Sequence, residues 1–82
     1  MRIVLTSEAE RELRKLDISI QKRILVKLRW YEQQEDPLSF AEPIVGEQGV
    51  FRYRVGAYRI FITPEGEVIL VLRIRKRSEA YR

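Results

Sequence analysis

Apolar residues recur along this chain with two periods. From Phe51 to Ile62 (FRYRVGAYRIFI) the period is two: Phe51, Tyr53 and Val55 alternate with Arg52 and Arg54, and Tyr58, Ile60 and Ile62 with Arg59 and Phe61. Residues two apart share one face of a strand, so this stretch predicts two strands with the arginines opposite the apolar set. Gly56-Ala57 predicts a two-residue turn, which pairs Val55 with Tyr58 and Arg54 with Arg59. Like charges directly opposite each other destabilise a sheet by up to about 1 kcal/mol. An anion lying across that face would relieve the clash.

Upstream the period lengthens. Arg2 to Leu5 (RIVL) predicts a short strand. Ser7 and Glu10 have the spacing of a capping box. Ala9, Leu13 and Leu16 follow at helical spacing, predicting a first helix from about Glu8 to Leu16. Asp17 is the expected cap of a second helix, where Ile20, Ile24, Leu28 and Tyr31 form one stripe with Leu25 on its shoulder. Val26 and Trp30 fall on nearly the opposite side. Two readings stay open for them: packing on the first helix, or a docking surface for a partner, since tryptophan is a common interface anchor. Asp36-Pro37 ends the helix, and residues 37 to 49 read as irregular, with Pro37, Pro43, Gly46 and Gly49.

After the hairpin, Thr63-Pro64-Glu65-Gly66-Glu67 predicts a three-residue loop that pairs Thr63 with Glu67 and sets Arg59 opposite Val71. Val68, Leu70, Leu72 and Ile74 then point to the core, while Ile69, Val71, Arg73 and Arg75 share the arginine face. A two-residue loop would reverse every one of these side chains. The predicted order is β-α-α-β-β-β in a single domain over residues 1–82. The fold class is α+β: a small antiparallel sheet of about four strands, with two N-terminal helices packed on one face. The other face, with Arg52, Arg54, Arg59, Arg73 and Arg75, is left for solvent or a ligand.

Composition narrows the chemistry. The chain has 82 residues, 45% of them hydrophobic, which suits one small core. With no cysteine there is no disulfide framework. No apolar run is long enough to span a membrane and no signal-peptide pattern is present, so a cytoplasmic location is expected. The net charge of +4 is unevenly spread. Residues 51–82 hold eight bases (Arg52, Arg54, Arg59, Arg73, Arg75, Lys76, Arg77, Arg82) against three acids (Glu65, Glu67, Glu79), whereas the first fifty are nearly neutral. The positive field belongs to the second half. Lack of histidine and cysteine excludes zinc-type clusters. No glycine-rich phosphate loop joins a strand to a helix, no paired carboxylates stand out, and no cofactor is expected.

What remains is arginine with tyrosine (Tyr53, Tyr58, Tyr81). Guanidinium forks hold phosphate bidentately and tyrosine rings stack on bases. Such a face could cleave RNA without a metal, because the 2′-OH beside the scissile phosphate is a built-in nucleophile. Positioning and charge stabilisation would supply most of the acceleration. Arginine holds its proton too tightly to serve as an ordinary acid or base. Tyr81, near Arg75 and Arg77 in sequence, is the candidate base if those charges lower its pKa.

The hairpin FRYRVGAYRIFI followed by VILVLRIRKRSEAYR resembles the RelE branch of the RelE/ParE toxins of type II toxin–antitoxin pairs. The β-α-α start and EPIVG before the hairpin extend the resemblance over most of the chain. It implies ribosome-dependent mRNA cleavage in the A site, leaving a 2′,3′-cyclic phosphate and a 5′-OH, and a cognate antitoxin that wraps and blocks the toxin. Its implied partners are thus the antitoxin, the ribosome and mRNA. By position, Arg52 and Arg54 match two basic residues of the first hairpin strand, and Arg59 matches the arginine that would bind the scissile phosphate. Tyr81 matches the tyrosine that would orient or deprotonate the 2′-OH. The tail arginine is Arg77 by the shorter family tail or Arg75 by the longer, with Arg77 preferred. Arg73, Arg75 and Lys76 are expected to add RNA contacts. The family's turn aspartate is Ala57, and its tail histidine is Lys76, a candidate acid. Two other readings compete: a ParE-like toxin that inhibits DNA gyrase without nuclease chemistry, and a non-catalytic RNA-binding relative.

Overall fold

The computed structural model describes residues 1–78. Its elements are β1 (Arg2–Leu5), α1 (Ser7–Arg14), α2 (Ile18–Glu32), a 3₁₀ turn (Pro37–Phe40), β2 (Glu42–Pro43), β3 (Phe51–Val55), β4 (Tyr58–Glu65) and β5 (Val68–Lys76). The sheet has five strands in the order β1-β5-β4-β3-β2. It is mixed, because β1 runs parallel to β5 while the other pairs are antiparallel. Four antiparallel strands were expected. The extra strand, β2, is two residues long and contains Pro43, too short for any alternation to announce it.

The helical stripes form as their spacing dictates. Ala9 and Leu13 of α1 and Ile24, Leu28 and Tyr31 of α2 are buried on Tyr53, Val55, Ile60, Ile62, Ile69, Val71 and Ile74 of the sheet. Val26 and Trp30 do not pack on α1. Val26 is 70% exposed, and Trp30 sits edge-on to Phe40 with the Lys27 ammonium 4.5 Å from its ring centre.

The cap of α1 is Thr6 rather than Ser7. Thr6 is still extended as it leaves β1, and its hydroxyl serves both elements. It accepts from the Ala9 N–H at 3.2 Å and donates to the Val71 carbonyl at 2.9 Å. Thr6→Ala is therefore expected to cost about 1–2 kcal/mol, seen as a fall in Tm, with Thr6→Ser recovering most of it. An equal loss from Ser7→Ala would contradict this assignment. Asp17 occupies the cap position of α2 but makes no side-chain cap bond.

The first hairpin has the expected register: Val55 pairs with Tyr58 and Arg54 with Arg59. Gly56 has φ +58°, and a glycine at the first loop position is what a type II′ turn requires. The second hairpin differs from expectation. Glu65 pairs with Val68 around Gly66-Glu67, so the loop has two residues and Pro64 lies inside β4. There β4 outruns β3, whose last pair is Phe51 with Ile62, so a residue lacking an N–H is flanked by a strand on one side only.

The shorter loop turns Ile69 and Val71 into the core in place of Val68, Leu70 and Leu72. A β-bulge at Leu72 then reverses the parity again, because Ile62 pairs with Val71 but Phe61 with Arg73. Ile74 is consequently buried, and Arg73 and Arg75 reach the arginine face as expected, by a different route.

Candidate nucleic-acid interface

Register carries the side chains of the outer face into two rows across the sheet. Arg54, Arg59 and Arg75 form one row; Glu42, Arg52, Phe61 and Arg73 form the next. The face is thus built from β2 to β5, with the helices behind it.

Three acids sit among these cations, and none of them stood out in the sequence. Glu42 reaches Arg52 Nη2 at 3.2 Å and Arg54 Nε at 3.3 Å, holding both with one carboxylate. Glu47 meets Arg73 at 3.6 Å, whose guanidinium also lies 4.7 Å from the Phe61 ring centre. Glu12 of α1 pairs with Arg75 and accepts the Ile74 backbone N–H at 2.8 Å. Glu12 did carry a signal: it stands four residues before Leu16, on the shoulder of the α1 apolar stripe. Glu42 and Glu47 lie in a segment without periodicity, and only the fold brings them to the face.

Arg59 is the exception. It is only 5% exposed, and among the described residues it has no carboxylate partner. Its Nε is buried without a hydrogen bond, and Nη1 makes one long contact, 3.5 Å to the Tyr58 carbonyl. Burial lowers its pKa from the ordinary arginine value, and the charges of Arg54, Arg77 and Arg52 lower it further, against an opposing pull from Glu42. A buried cation among cations is costly. The arrangement is complementary to an anion that can accept two hydrogen bonds in a plane.

The other sequence-predicted residues are divided by the fold. The Arg77 N–H donates to the Ala57 carbonyl at 2.6 Å, which brings Arg77 to the hairpin turn beside Arg59. Lys76 pairs with Tyr58, one residue out of phase with the arginine row, and lines a recess at the end of β5 with Glu12, Leu16 and Arg75. Tyr53 cannot stack on a base, because it is fully buried against Tyr31. Tyr58 also packs against the core. Tyr81 lies outside the described residues. A separate groove of about 590 Å³, floored by Val26, Trp30 and Val55 and rimmed by Lys22, Arg23 and Lys27, touches the arginine face at Arg54. Among the described residues, no helix is long and apolar enough to cross a membrane.

Comparison with known proteins agrees with this architecture. No curated protein sequence matches significantly. Among solved structures, the RelBE2 toxin–antitoxin complex from Mycobacterium tuberculosis contains a chain 27% identical, with TM-score 0.76 over 95% of this chain and 92% of that one. A chain of the archaeal RelE–RelB complex from Pyrococcus horikoshii OT3 is 22% identical, with TM-score 0.72 over 96% and 97%. One from the chromosomal ParDE system of P. aeruginosa is 17% identical, with TM-score 0.75 over 93% and 95%. Residues 3–81 match the family described as the ParE toxin of type II toxin–antitoxin system, parDE. The chain is a toxin of a type II toxin–antitoxin system, a member of the RelE/ParE family.

Proposed function

We propose that this toxin is a metal-independent endoribonuclease that cleaves mRNA in the ribosomal A site. The observation that carries the reading is Arg59: a nearly buried guanidinium, without a carboxylate among the described residues and pressed by Arg54, Arg77 and Arg52. A scissile phosphodiester is the partner such a site suits: a monoanion whose charge grows toward two as the 2′-oxygen adds in the transition state.

In this reading the 2′-oxygen attacks phosphorus as the bond to the 5′-oxygen breaks. The products are a 2′,3′-cyclic phosphate and a 5′-OH. Arg59 and Arg77 hold the non-bridging oxygens, while Arg52 and Arg54, aligned by Glu42, bind the flanking backbone. Tyr81 orients the 2′-OH and takes its proton. Arg75 is left out of this set because Glu12 neutralises it, and Lys76 because it stands one residue out of phase with the arginine row. The ribosome would supply the substrate's conformation and the remaining proton transfer. A cognate antitoxin is the expected cellular partner, as in the toxin–antitoxin complexes that this fold resembles, and the place of action is the cytoplasm.

The second reading is inhibition of DNA gyrase, favoured by the family match and the ParDE likeness. Toeprinting of translating ribosomes separates the two. The expected result is new mRNA 3′ ends inside the A-site codon. Tyr81→Phe should lower turnover about 10²–10⁴-fold, the usual share of a general base, with RNA affinity nearly intact. Folded wild type that leaves mRNA whole but blocks gyrase supercoiling would sink the nuclease reading.

A further inference from the structure

The row Arg54, Arg59, Arg75 offers three guanidinium groups in register, yet its third member is not free. β1 covers the β5 edge only from Val68 to Val71. Past the bulge, that edge is covered by α1. There the Glu12 carboxylate uses one oxygen for the Ile74 N–H and the other for the Arg75 guanidinium. Both partners are well covered, Glu12 at 19% and Arg75 at 32% side-chain exposure, so water screens the pair less than it would a surface pair. Arg75 also lines the recess between α1 and the end of β5 beside Glu12, Lys15 and Leu16. Its side chain is therefore turned toward the helix rather than toward Arg59. The cations that bear on Arg59 are Arg54, Arg77 and Arg52, opposed by Glu42, and Arg75 is not among them.

We infer that Glu12 is a positioning residue that withdraws Arg75 from the phosphate-binding row and so sets how many phosphates the face engages. The inference rests on reading the arginine face as an RNA-backbone site. Its physical content is a trade. A free Arg75 would bind RNA anywhere more tightly, through a contact that carries no sequence or ribosome information. Tethered to α1, it closes the sheet edge, leaving the anion to Arg59 and its remaining neighbours. Glu12→Gln separates the two roles of the carboxylate. The amide oxygen still accepts the Ile74 N–H, but the charge that holds Arg75 is gone.

The test is binding of a short, 2′-O-methylated single-stranded RNA, which cannot be cleaved, titrated across salt. Wild type, Glu12→Gln, Arg75→Gln and the double variant are compared. Each phosphate contacted adds about 0.7 to the salt slope on a single strand. Glu12→Gln should steepen the slope by about 0.7, a gain of about fivefold in affinity for each tenfold drop in salt. Arg75→Gln alone should leave the wild-type slope unchanged, and the double variant should return to it. A sloping wild type with an unchanged Glu12→Gln overturns the tether alone. Flat titrations for both overturn the tether and the RNA-binding reading together. Should Glu12→Gln not fold, Arg75→Gln decides: loss of about 0.7 from the wild-type slope means that Arg75 was bound to phosphate all along. A role of Glu12 in stability only would shift Tm and leave every slope alone.

Discussion

Replacing Arg59 with leucine is expected to abolish most mRNA cleavage without destabilising the protein. Arg59 is 5% exposed, its Nε is buried without a hydrogen bond, and Arg54, Arg77 and Arg52 bear on its charge against a single opposing carboxylate, Glu42. Loss of one preorganised group that stabilises transition-state charge typically costs 10²–10³ in rate. Folding has little to lose, since a buried cation without a counter-charge is itself costly to hold out of water. Leucine also removes the cross-strand repulsion with Arg54. Cleavage on programmed ribosomes and thermal unfolding, measured on one preparation, check both halves. Arg59→Lys should keep charge, lose the planar fork and fall in between. A lowered Tm with cleavage intact would make Arg59 a structural residue and remove the main support for the nuclease reading. The combination expected here, activity lost and stability kept or raised, is the mark of a residue held at a cost for its function.

How much of this was legible in the sequence depends on the segment. The Arg54–Arg59 pairing followed from strict alternation and a glycine at the turn, because a half-buried hairpin has one register that keeps its apolar set inside. The α2 stripe was legible for the same reason at the helical period. Val68 to Leu72 (VILVL) was not. Five consecutive apolar residues carry no parity, and Pro64, which favours turns, is here inside a strand. The bulge at Leu72 corrected one error with another reversal. Arg73 and Arg75 therefore keep the expected parity with Phe61 and Arg59, by a route the sequence did not show, and α1 then draws the Arg75 side chain aside. The acids were the larger omission. A positive face looked unopposed in the sequence because Glu12 lies on a helix far from the hairpin and Glu42 and Glu47 lie in a segment without periodicity; among the described residues, only Arg59 of the five is left by the fold without a carboxylate. That contrast singles out one arginine where the sequence offered five.

Tyr53 shows the same limit from the other side and gives the largest expected effect on stability. In sequence it is a tyrosine between two arginines, a pattern that suits base stacking. In the fold it is fully buried, stacked on Tyr31 with ring centres 3.8 Å apart and planes 8° from parallel. Its hydroxyl donates to the Pro37 carbonyl at 2.7 Å. Burial raises its pKa well above the usual tyrosine value, with Tyr31 and Asp36 adding to the shift, so it stays protonated and keeps donating across the neutral range. Tyr53→Ala removes a core ring and should cost about 3–5 kcal/mol. A domain of this size has roughly 4–12 kcal/mol in total, so much of the stability goes. Tyr53→Phe keeps the stack but leaves the Pro37 carbonyl without its donor, and should cost about 1–3 kcal/mol. Urea unfolding of the two variants gives both numbers. A base-stacking Tyr53 predicts the reverse: Tyr53→Ala folds normally and binds RNA weakly, while Tyr53→Phe matches wild type in both. The position of Tyr53 on β3 decides what else follows. The residue anchors the inner side of the strand whose outer side presents Arg52 and Arg54, so in Tyr53→Phe any loss of cleavage should be small and should track the lost stability. A cleavage defect in Tyr53→Phe well beyond its fraction unfolded would place the hydroxyl in the reaction itself and would require a site different from the arginine row.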